Sequence, residues 1–307
     1  MFSQRFYQHV VKTPLTLYRG EQTLWHQLYL KDETQQVTHA FKFRGNLHRL
    51  LCLPSDVRAV TTASTGNHGL GLTTSARILG LQAYVFVPAT TSQVKRQALK
   101  EAGAILSLID GDYDDCKHAS QAFAEKEGAS YIPSFDDADI ICGHSSLFHE
   151  LDSQHPQGFG TVFVPIGGGG LLAACVQHYR GTNVRIVGVE LDSAPAMRLS
   201  LAAEKRVVLE RATGRAEGLL VREVGAVPFE LASHSPNLEE VVLVSDAEIL
   251  HAIRLLWEHC GIRAEGAGAA AFAAAMRYSK ADQDQDAVAI VSGGNIDETY
   301  FQEALKS

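Results

Sequence analysis

Cysteine is sparse in this chain, and its few cysteines are scattered. The five in 307 residues form no CxxC pair and no spacing typical of a metal site; they are Cys52, Cys116, Cys142, Cys175 and Cys260. A small disulfide-stabilised secreted domain is dense in cysteine, so this class is excluded. We expect reduced, mostly buried thiols in a cytoplasmic protein.

Basic residues are also in the minority. The formal net charge is -8, which argues against nucleic-acid partners and anionic membrane surfaces, because neither is attracted to an acidic protein. No apolar run approaches the ~18 residues of a membrane span, and the N-terminus lacks the apolar core of a signal peptide. The expected partner is therefore a small molecule that needs only a local positive site.

The order of apolar runs predicts an α/β protein of two open parallel-sheet domains. Short β-branched runs alternate with amphipathic segments from Val57 onward, and glycines close several of these segments, at Gly80, Gly103 and Gly128. A second series starts at Thr161. Because single cores stop growing near ~250 to 300 residues, we expect a larger domain of residues 1–48 and 146–307 and a smaller domain of residues 49–145.

Three further segments are distinguished by composition or position. Residues 212–228 have the Gly-rich composition of a long functional loop, and residues 279–287 resemble a solvated connector. Only 12 residues follow Asn295, so no C-terminal regulatory domain is expected.

Four consecutive glycines, Gly167–Gly170, stand between an apolar strand and a helix that begins near Leu171. Glycines let the backbone approach a ligand closely, and a helix N-terminus offers unpaired N–H groups to an anion. The spacing is not the GxGxxG of a dinucleotide site, which disfavours a nicotinamide-dependent oxidoreductase. The run predicts a phosphate site; the alternative is a flexible linker.

Lys42 lies between Phe41 and Phe43. Desolvation by aromatic neighbours disfavours the charged amine and favours a nucleophile near neutral pH; the alternative is a lysine that extends to solvent. The stretch STGNH, residues 64–68, follows a predicted strand, and its N–H groups and side chains suit a carboxylate, although an ordinary helix cap has the same composition. SGGN, residues 292–295, follows another strand, with a simple tight turn as the alternative.

In their order along the chain, these four motifs resemble those of the fold-type II pyridoxal-phosphate enzymes, in the serine/threonine dehydratase branch that includes the serine racemases. The resemblance runs from LYLKDE at residue 28 to SGGN at residue 292 and includes IPSFDDADIICG and EGAGAAAFAA. It implies that pyridoxal 5'-phosphate is the cofactor, a small amino acid the substrate and a homodimer the assembly.

The resemblance also implies roles for individual residues. Lys42 would carry the cofactor as a Schiff base, and Gly167, Gly168, Gly169 and Gly170 with the Leu171 N–H would bind its phosphate. Asn67 would contact the ring hydroxyl and Ser292 the pyridine nitrogen, with Phe41 and Glu265 also near the cofactor. The substrate carboxylate would be bound by Ser64, Thr65, Gly66, Asn67 and His68, of which Ser64 and Thr65 are also catalytic candidates.

The implied reaction is β-elimination from a β-hydroxy amino acid, with Lys42 removing the α proton, to give a 2-oxo acid and ammonia. A serine hydroxyl at position 292 does not keep the pyridine nitrogen protonated, so the ring is a weaker electron sink, which suits elimination. Racemisation is the alternative, disfavoured by Thr65, which stands where racemising relatives carry serine, and by Phe135. A protein that binds the cofactor without turnover is the non-enzymatic alternative.

Two departures from the family pattern affect finer detail. Ala40 replaces a serine before the Phe-Lys pair, which removes one polar contact. Some relatives bind a divalent cation through three oxygen ligands, of which Glu190 and Ala194 match here, whereas Ala196 replaces an aspartate. Glu190 and Ala194 are therefore only weak metal candidates.

Overall fold

The computed structural model describes residues 2–280 and 284–307, so the predicted connector at residues 279–287 lies partly outside the described residues. The chain forms two compact units. The smaller contains residues 2–10 and Lys42–Gly143, and the larger contains Val11–Phe41 and His144–Ser307.

Strands and helices alternate along most of the described residues. The strands in chain order are β1 Leu15–Leu17, β2 Leu28–Asp32, β3 Ala59–Ala63, β4 Gln82–Pro88, β5 Ile105–Ile109, β6 Ser130–Tyr131, β7 Thr161–Pro165, β8 Arg185–Leu191, β9 Leu238–Val244 and β10 Ala287–Val291. The helices are α1 Gln4–Tyr7, α2 Lys42–Leu51, α3 Asn67–Leu79, α4 Gln93–Ala102, α5 Tyr113–Glu127, α6 Ala138–Gln154, α7 Gly170–His178, α8 Ala196–Ala202, α9 Ala226–Ser233, α10 Asp246–Cys260, α11 Gly266–Arg277 and α12 Glu298–Ala304. Short 3₁₀ turns span Glu33–Gln35 and Glu217–Leu219.

The smaller unit is built on a parallel sheet with the strand order β5-β4-β3-β6. The glycines expected to close its helices do so: Gly80, Gly103 and Gly128 follow α3, α4 and α5 with φ of 74°, 109° and 66°. A residue without Cβ adopts this left-handed conformation at little cost, which ends each helix and returns the chain to the sheet.

The larger unit is built on a six-stranded sheet with the order β1-β2-β10-β7-β8-β9. Only β1 runs antiparallel to its neighbour, with Leu15 opposite Lys31. Every residue of β7 and β10 is buried, as expected for parallel strands that are covered on both faces. Because β2 pairs with β10, the N-terminal strands complete this sheet.

The observed units differ from the predicted domains at the N-terminal boundary. Residues 2–10 and residues 42–48 belong to the smaller unit, although the sequence placed residues 1–48 in the larger domain. The physical reason is hydrophobic packing: Phe6 of α1 forms one buried cluster with Phe43 and Leu47 of α2. The chain therefore passes from the larger to the smaller unit at the Phe41–Lys42 peptide bond and returns after Gly143, two residues before the predicted boundary.

Candidate active site

The tetraglycine of the larger unit forms a tightly enclosed turn between β7 and α7. Gly169 has a φ of 92° and precedes the first residue of α7. A Cβ at Gly169 would lie 2.7 Å from the Cβ of Pro228, and a Cβ at Gly167 would overlap the backbone oxygen of Gly218. Neither position leaves room for a side chain, and the first N–H groups of α7 have no acceptor within their own helix, as at any helix N-terminus, which suits an anion.

The predicted loop of residues 212–228 supports this turn. The backbone N–H of Gly225 donates a hydrogen bond of 3.0 Å to the oxygen of Gly168. Leu171, the second residue of α7, is 3% exposed, and its side chain is part of the core. The hydrogen bond to Gly168 and the close contacts at Gly167 and Gly169 restrict the conformation of the turn.

The SGGN segment of the larger unit connects three of the predicted cofactor residues. The backbone oxygen of Ser292 accepts from the N–H of Phe41 at 3.0 Å, and the oxygen of Gly293 accepts from the N–H of Glu265 at 3.0 Å. The Ser292 hydroxyl donates to the oxygen of Ala267 at 3.3 Å. Backbone hydrogen bonds therefore fix the positions of Phe41, Glu265 and Ser292 around one turn.

Close packing of α11 holds the same turn. A Cβ at Gly268 would overlap the oxygen of Gly293, so the small residues of the EGAGAAAFAA segment let this helix lie directly against the turn. The Phe41 ring packs against His144, with ring centroids 4.7 Å apart. These contacts give the segment just before Lys42 a fixed course within the larger unit.

Lys42 is the first residue of α2 in the smaller unit. Its Nζ donates a hydrogen bond of 2.6 Å to the backbone oxygen of Ser134. Burial lowers the pKa of the amine from 10.5 to about 8, the direction expected from the sequence. The amine is thus partly neutral at physiological pH, as a nucleophile or proton acceptor must be.

Helix α3 packs closely against the first turn of α2, at the backbone of Lys42. A Cβ at Gly71 would lie 2.8 Å from Asn46 Nδ2 and 3.3 Å from the backbone oxygen of Lys42. Asn46 Nδ2 in turn donates to the Lys42 oxygen at 2.8 Å. Phe43, which the sequence suggested as a neighbour that desolvates the amine, instead packs with Phe6 and Leu47 in the core.

Lys31 shows how differently a second buried lysine is accommodated. Its Nζ lies 2.7 Å from Glu150 Oε2 and also donates to the Thr13 oxygen and to Gln154 Oε1, each at 2.9 Å. A carboxylate partner stabilises the ammonium form of Lys31, whereas burial lowers the pKa of Lys42, whose amine donates to the neutral carbonyl of Ser134. The two environments distinguish a structural lysine from a reactive one.

The STGNH segment occupies the turn between β3 and α3 in the smaller unit. Ser64 Oγ accepts from the N–H groups of Gly66 at 3.3 Å and Gly69 at 3.1 Å. Because both bonds use lone pairs of the oxygen, the hydroxyl proton is directed elsewhere and is suited to an anionic ligand. Ser64, Thr65, Gly66 and Asn67 are all half-buried, as residues at the edge of a binding site are.

The His68 side chain does not share this position, which corrects its assignment as a side-chain ligand. It is 4% exposed, and its Nε2 donates to the Ile132 oxygen at 3.2 Å while Nδ1 accepts from Asn46 Nδ2 at 3.3 Å. Burial and the nearby Lys42 charge lower the pKa of His68 to about 3. The imidazole is neutral and part of the core, so only the backbone N–H of His68 is available to a carboxylate.

Glu190, the weak metal candidate, has both carboxylate oxygens engaged at the N-terminus of α8. Oε1 accepts from the N–H of Met197 at 2.7 Å and Oε2 from the N–H of Arg198 at 2.9 Å. Burial raises the pKa of this carboxyl to about 7 despite both bonds. Ala194, the other metal candidate, is 1% exposed, and its N–H donates to the Leu191 oxygen at 2.9 Å.

Sequence reasoning missed Ser134 and Gly71 as parts of the Lys42 environment. Ser134 lies in IPSFDDADIICG and Gly71 directly follows STGNHGL, so both stood inside segments already singled out. Their roles are carried by a backbone oxygen and by a missing side chain. Neither a backbone oxygen nor a missing side chain can be recognised from the residue type alone.

A family model described as pyridoxal-phosphate dependent enzyme matches residues 6–293. The chain belongs to this family. The assignment confirms the predicted cofactor and the predicted α/β class, and the enclosed tetraglycine and the partly neutral Lys42 amine fit pyridoxal phosphate.

Relatives of this pyridoxal-phosphate family cover nearly the whole chain. It is 35% identical to the chloroplastic biosynthetic threonine dehydratase of Arabidopsis thaliana, over 96% of this chain and 51% of that protein. It is 36% identical to the L-threonine ammonia-lyase of Geobacter sulfurreducens, over 88% and 67%. The processed form of threonine deaminase isoform 2 from Solanum lycopersicum superimposes with a TM-score of 0.91 at 30% identity, over 98% of this chain and 89% of that one.

The chain spans about half the length of the Arabidopsis dehydratase. Within the described residues, no helix is long and apolar enough to cross a membrane.

Proposed function

We propose that this protein is an ammonia-lyase that converts a small β-hydroxy amino acid, L-threonine first and L-serine second, to a 2-oxo acid and ammonia. The observation that carries the proposal is the buried Lys42 amine with its pKa near 8, in a chain whose relatives are named for threonine deamination. Elimination removes one water from Cα and Cβ of the substrate, and hydrolysis of the product consumes one water. The net change is therefore the release of ammonia.

Each part of the candidate site has a task in this reaction. Bound pyridoxal phosphate supplies an electron sink that acidifies the substrate Cα–H. Gly167–Gly170, with the Leu171 N–H, would hold its phosphate, and Ser292 would contact the ring nitrogen. The Ser64 hydroxyl and the N–H groups of Thr65, Asn67 and His68 would hold the substrate carboxylate, while the Gly66 and Gly69 N–H groups position Ser64 Oγ.

Lys42 would transfer the proton of the substrate Cα. An amine with a pKa near 8 is both a competent acceptor for the Cα proton and, once charged, a competent donor at neutral pH. Burial disfavours the charged form, so the amine is poised between its two protonation states.

The test is a product assay on the holoenzyme with L-threonine and L-serine in separate reactions. We expect 2-oxobutanoate and ammonia in equal amounts from threonine, and pyruvate and ammonia from serine. Lys42→Ala should abolish turnover, whereas Lys100→Ala, at an exposed position of α4, should not change it. Bound cofactor without ammonia from either substrate would contradict the proposal and favour a binding protein without turnover.

The predicted assembly and location belong to the same proposal. A homodimer is supported only by the resemblance, and sedimentation of the holoenzyme at several concentrations would test it. A cytoplasmic location is supported by the scattered, unpaired cysteines, and fractionation of cells tests it.

A further inference from the structure

Two short helical motifs bring four potential metal ligands together in the smaller unit. His48 lies near the end of α2, and the N–H of Cys52 still donates to the His48 oxygen at 3.2 Å, so these side chains share one helical face. Asp139 and Cys142 are three residues apart on α6 and also share a face. Each helix thus supplies one thiol and one further ligand.

The ligand atoms are close to one another. Cys142 Sγ lies 3.8 Å from His48 Nε2, and Cys52 Sγ lies 3.9 Å from His48 Nδ1. Single ligand atoms of His48, Cys52 and Asp139 all lie within 4.8 Å of each other. In a tetrahedral zinc site the nitrogen and sulfur ligands are about 3.6 Å apart. The separations among His48, Cys52 and Asp139, up to 4.8 Å, therefore have to shorten when an ion binds, whereas Cys142 Sγ is already 3.8 Å from the imidazole.

The backbone beneath the cluster is rigid. A Cβ at Gly143 would lie 2.7 Å from both the Arg44 oxygen and the His48 Cβ, so α6 and α2 are in direct contact here. The Asp137 carboxylate accepts from Arg49 Nε at 2.9 Å and caps the start of α6. The two helices are therefore fixed before any ion binds.

Orientation of the imidazole is also set in advance. His48 Nδ1 donates to the backbone oxygen of Asp139 at 3.0 Å, which leaves the lone pair on Nε2, the nitrogen that lies 3.8 Å from Cys142 Sγ. Cys52 Sγ lies beside Nδ1, so this exposed side chain has to rotate about χ1 to reach an ion bound at Nε2. A backbone carbonyl that fixes the tautomer of a metal-binding histidine is a common feature of zinc sites. Both thiols are exposed, so an ion can enter from solvent.

We propose that His48, Cys52, Asp139 and Cys142 form a site for a zinc ion, separate from the cofactor site. Two sulfurs, one imidazole and one carboxylate suit Zn²⁺ and its probe Co²⁺, whereas Mg²⁺ and Ca²⁺ prefer oxygen ligands. The bound ion crosslinks the end of α2 to the start of α6. Because α2 begins at Lys42, about 9 Å along the helix axis from His48, the crosslink stabilises the helix that carries the reactive amine.

The experiment is a Co²⁺ titration of the holoenzyme, freed of metal by a chelator and kept reduced by a phosphine. We expect one equivalent of Co²⁺ to give intense d–d absorption, at wavelengths longer than the cofactor band, that Zn²⁺ then abolishes. Cys52→Ser and Cys142→Ser should each weaken binding by at least tenfold. Cys260→Ser and His118→Ala, which alter a thiol and an imidazole elsewhere, should bind as the wild type does.

Stability gives an independent readout. Zn²⁺ should raise the midpoint of thermal unfolding of the wild type and leave that of the Cys52→Ser/Cys142→Ser double variant unchanged. A folded holoenzyme without the d–d band would overturn the proposal. So would a band that both serine variants retain at full intensity and affinity.

Discussion

Lys42 Nζ donates a 2.6 Å hydrogen bond to the backbone oxygen of Ser134, 92 positions away in the sequence. A carbonyl oxygen accepts from either the neutral or the charged amine, so this contact orients the side chain without fixing its charge. Burial favours the neutral amine over the charged one and lowers the pKa to about 8. The reactivity of Lys42 should therefore change within an accessible pH range.

The first prediction concerns the pH dependence of cofactor capture. Only the neutral amine attacks an aldehyde, so its fraction should rise about tenfold per pH unit below 8 and level off above it. The measurement is the rate at which the visible band develops when apoprotein is mixed with pyridoxal phosphate between pH 6 and 10. A rate that keeps rising up to pH 10, as for an exposed lysine, would show that burial does not control the amine.

The second prediction tests the tetraglycine. Gly169→Ala places a methyl group 2.7 Å from Pro228 at a φ of 92°, so the turn must shift and its N–H groups lose their alignment. We expect cofactor affinity to fall by at least tenfold, measured as occupancy after dialysis. Gly181→Ala is the matched control because it has a similar φ of 80° and open space around it. It should lose about 1 kcal/mol of stability and keep its cofactor.

The third prediction concerns Glu190, whose folded-state pKa of about 7 lies above the ordinary value of 4.5. The native state therefore binds a proton more tightly than the unfolded state, so stability falls as pH rises from about 4.5 to 7. The shift corresponds to at most about 3 kcal/mol of pH-dependent stability. Glu190→Gln should remove this dependence.

Urea unfolding at pH 5, 6 and 7 measures it as the difference in stability between wild type and Glu190→Gln. That difference in stability should change with pH. It also contains a pH-independent loss of stability in Glu190→Gln, because the amide cannot accept both N–H bonds. Glu230→Gln, at an exposed site in α9, is the control for the substitution itself. A Glu190→Gln difference that stays constant across the three pH values would mean that the carboxylate is ionised throughout.

Much of this structure could be predicted from the sequence because the features that indicate it lie within short segments. The tetraglycine, the left-handed glycines after α3, α4 and α5, and the buried strands β7 and β10 each follow from a few consecutive residues. A glycine at a positive φ or a fully apolar strand has the same meaning wherever it occurs.

What the sequence does not reveal depends on contacts between distant segments. His68 can lie in the core because both ring nitrogens have partners: the Ile132 oxygen accepts from Nε2, and Asn46 Nδ2 donates to Nδ1. Neither partner is near His68 in sequence. The pairing of His48 with Cys142 likewise joins two helices 94 positions apart. A cysteine spacing rule applies to one segment and cannot detect such a cluster.

The last prediction concerns Thr65, which separates elimination from racemisation. It follows Ser64, whose hydroxyl oxygen accepts from the N–H groups of Gly66 and Gly69. The family resemblance implies that racemising enzymes carry serine at this position. The extra methyl restricts the hydroxyl to fewer rotamers, which hinders protonation of the second substrate face. Thr65→Ser should therefore raise the ratio of D-amino acid to 2-oxo acid, and Thr65→Val should reduce racemisation more than elimination.

Chiral chromatography of the amino acid and a 2-oxo acid assay on the same L-serine reaction give this ratio. Each ~1.4 kcal/mol between the two exit barriers changes the ratio tenfold, so a modest effect of the methyl is measurable. Thr299→Ser, at an exposed position of α12, controls for the substitution itself and should leave the ratio unchanged. If the wild type formed mainly D-serine, elimination would be the side reaction, and the methyl of Thr65 would not be what decides between the two outcomes.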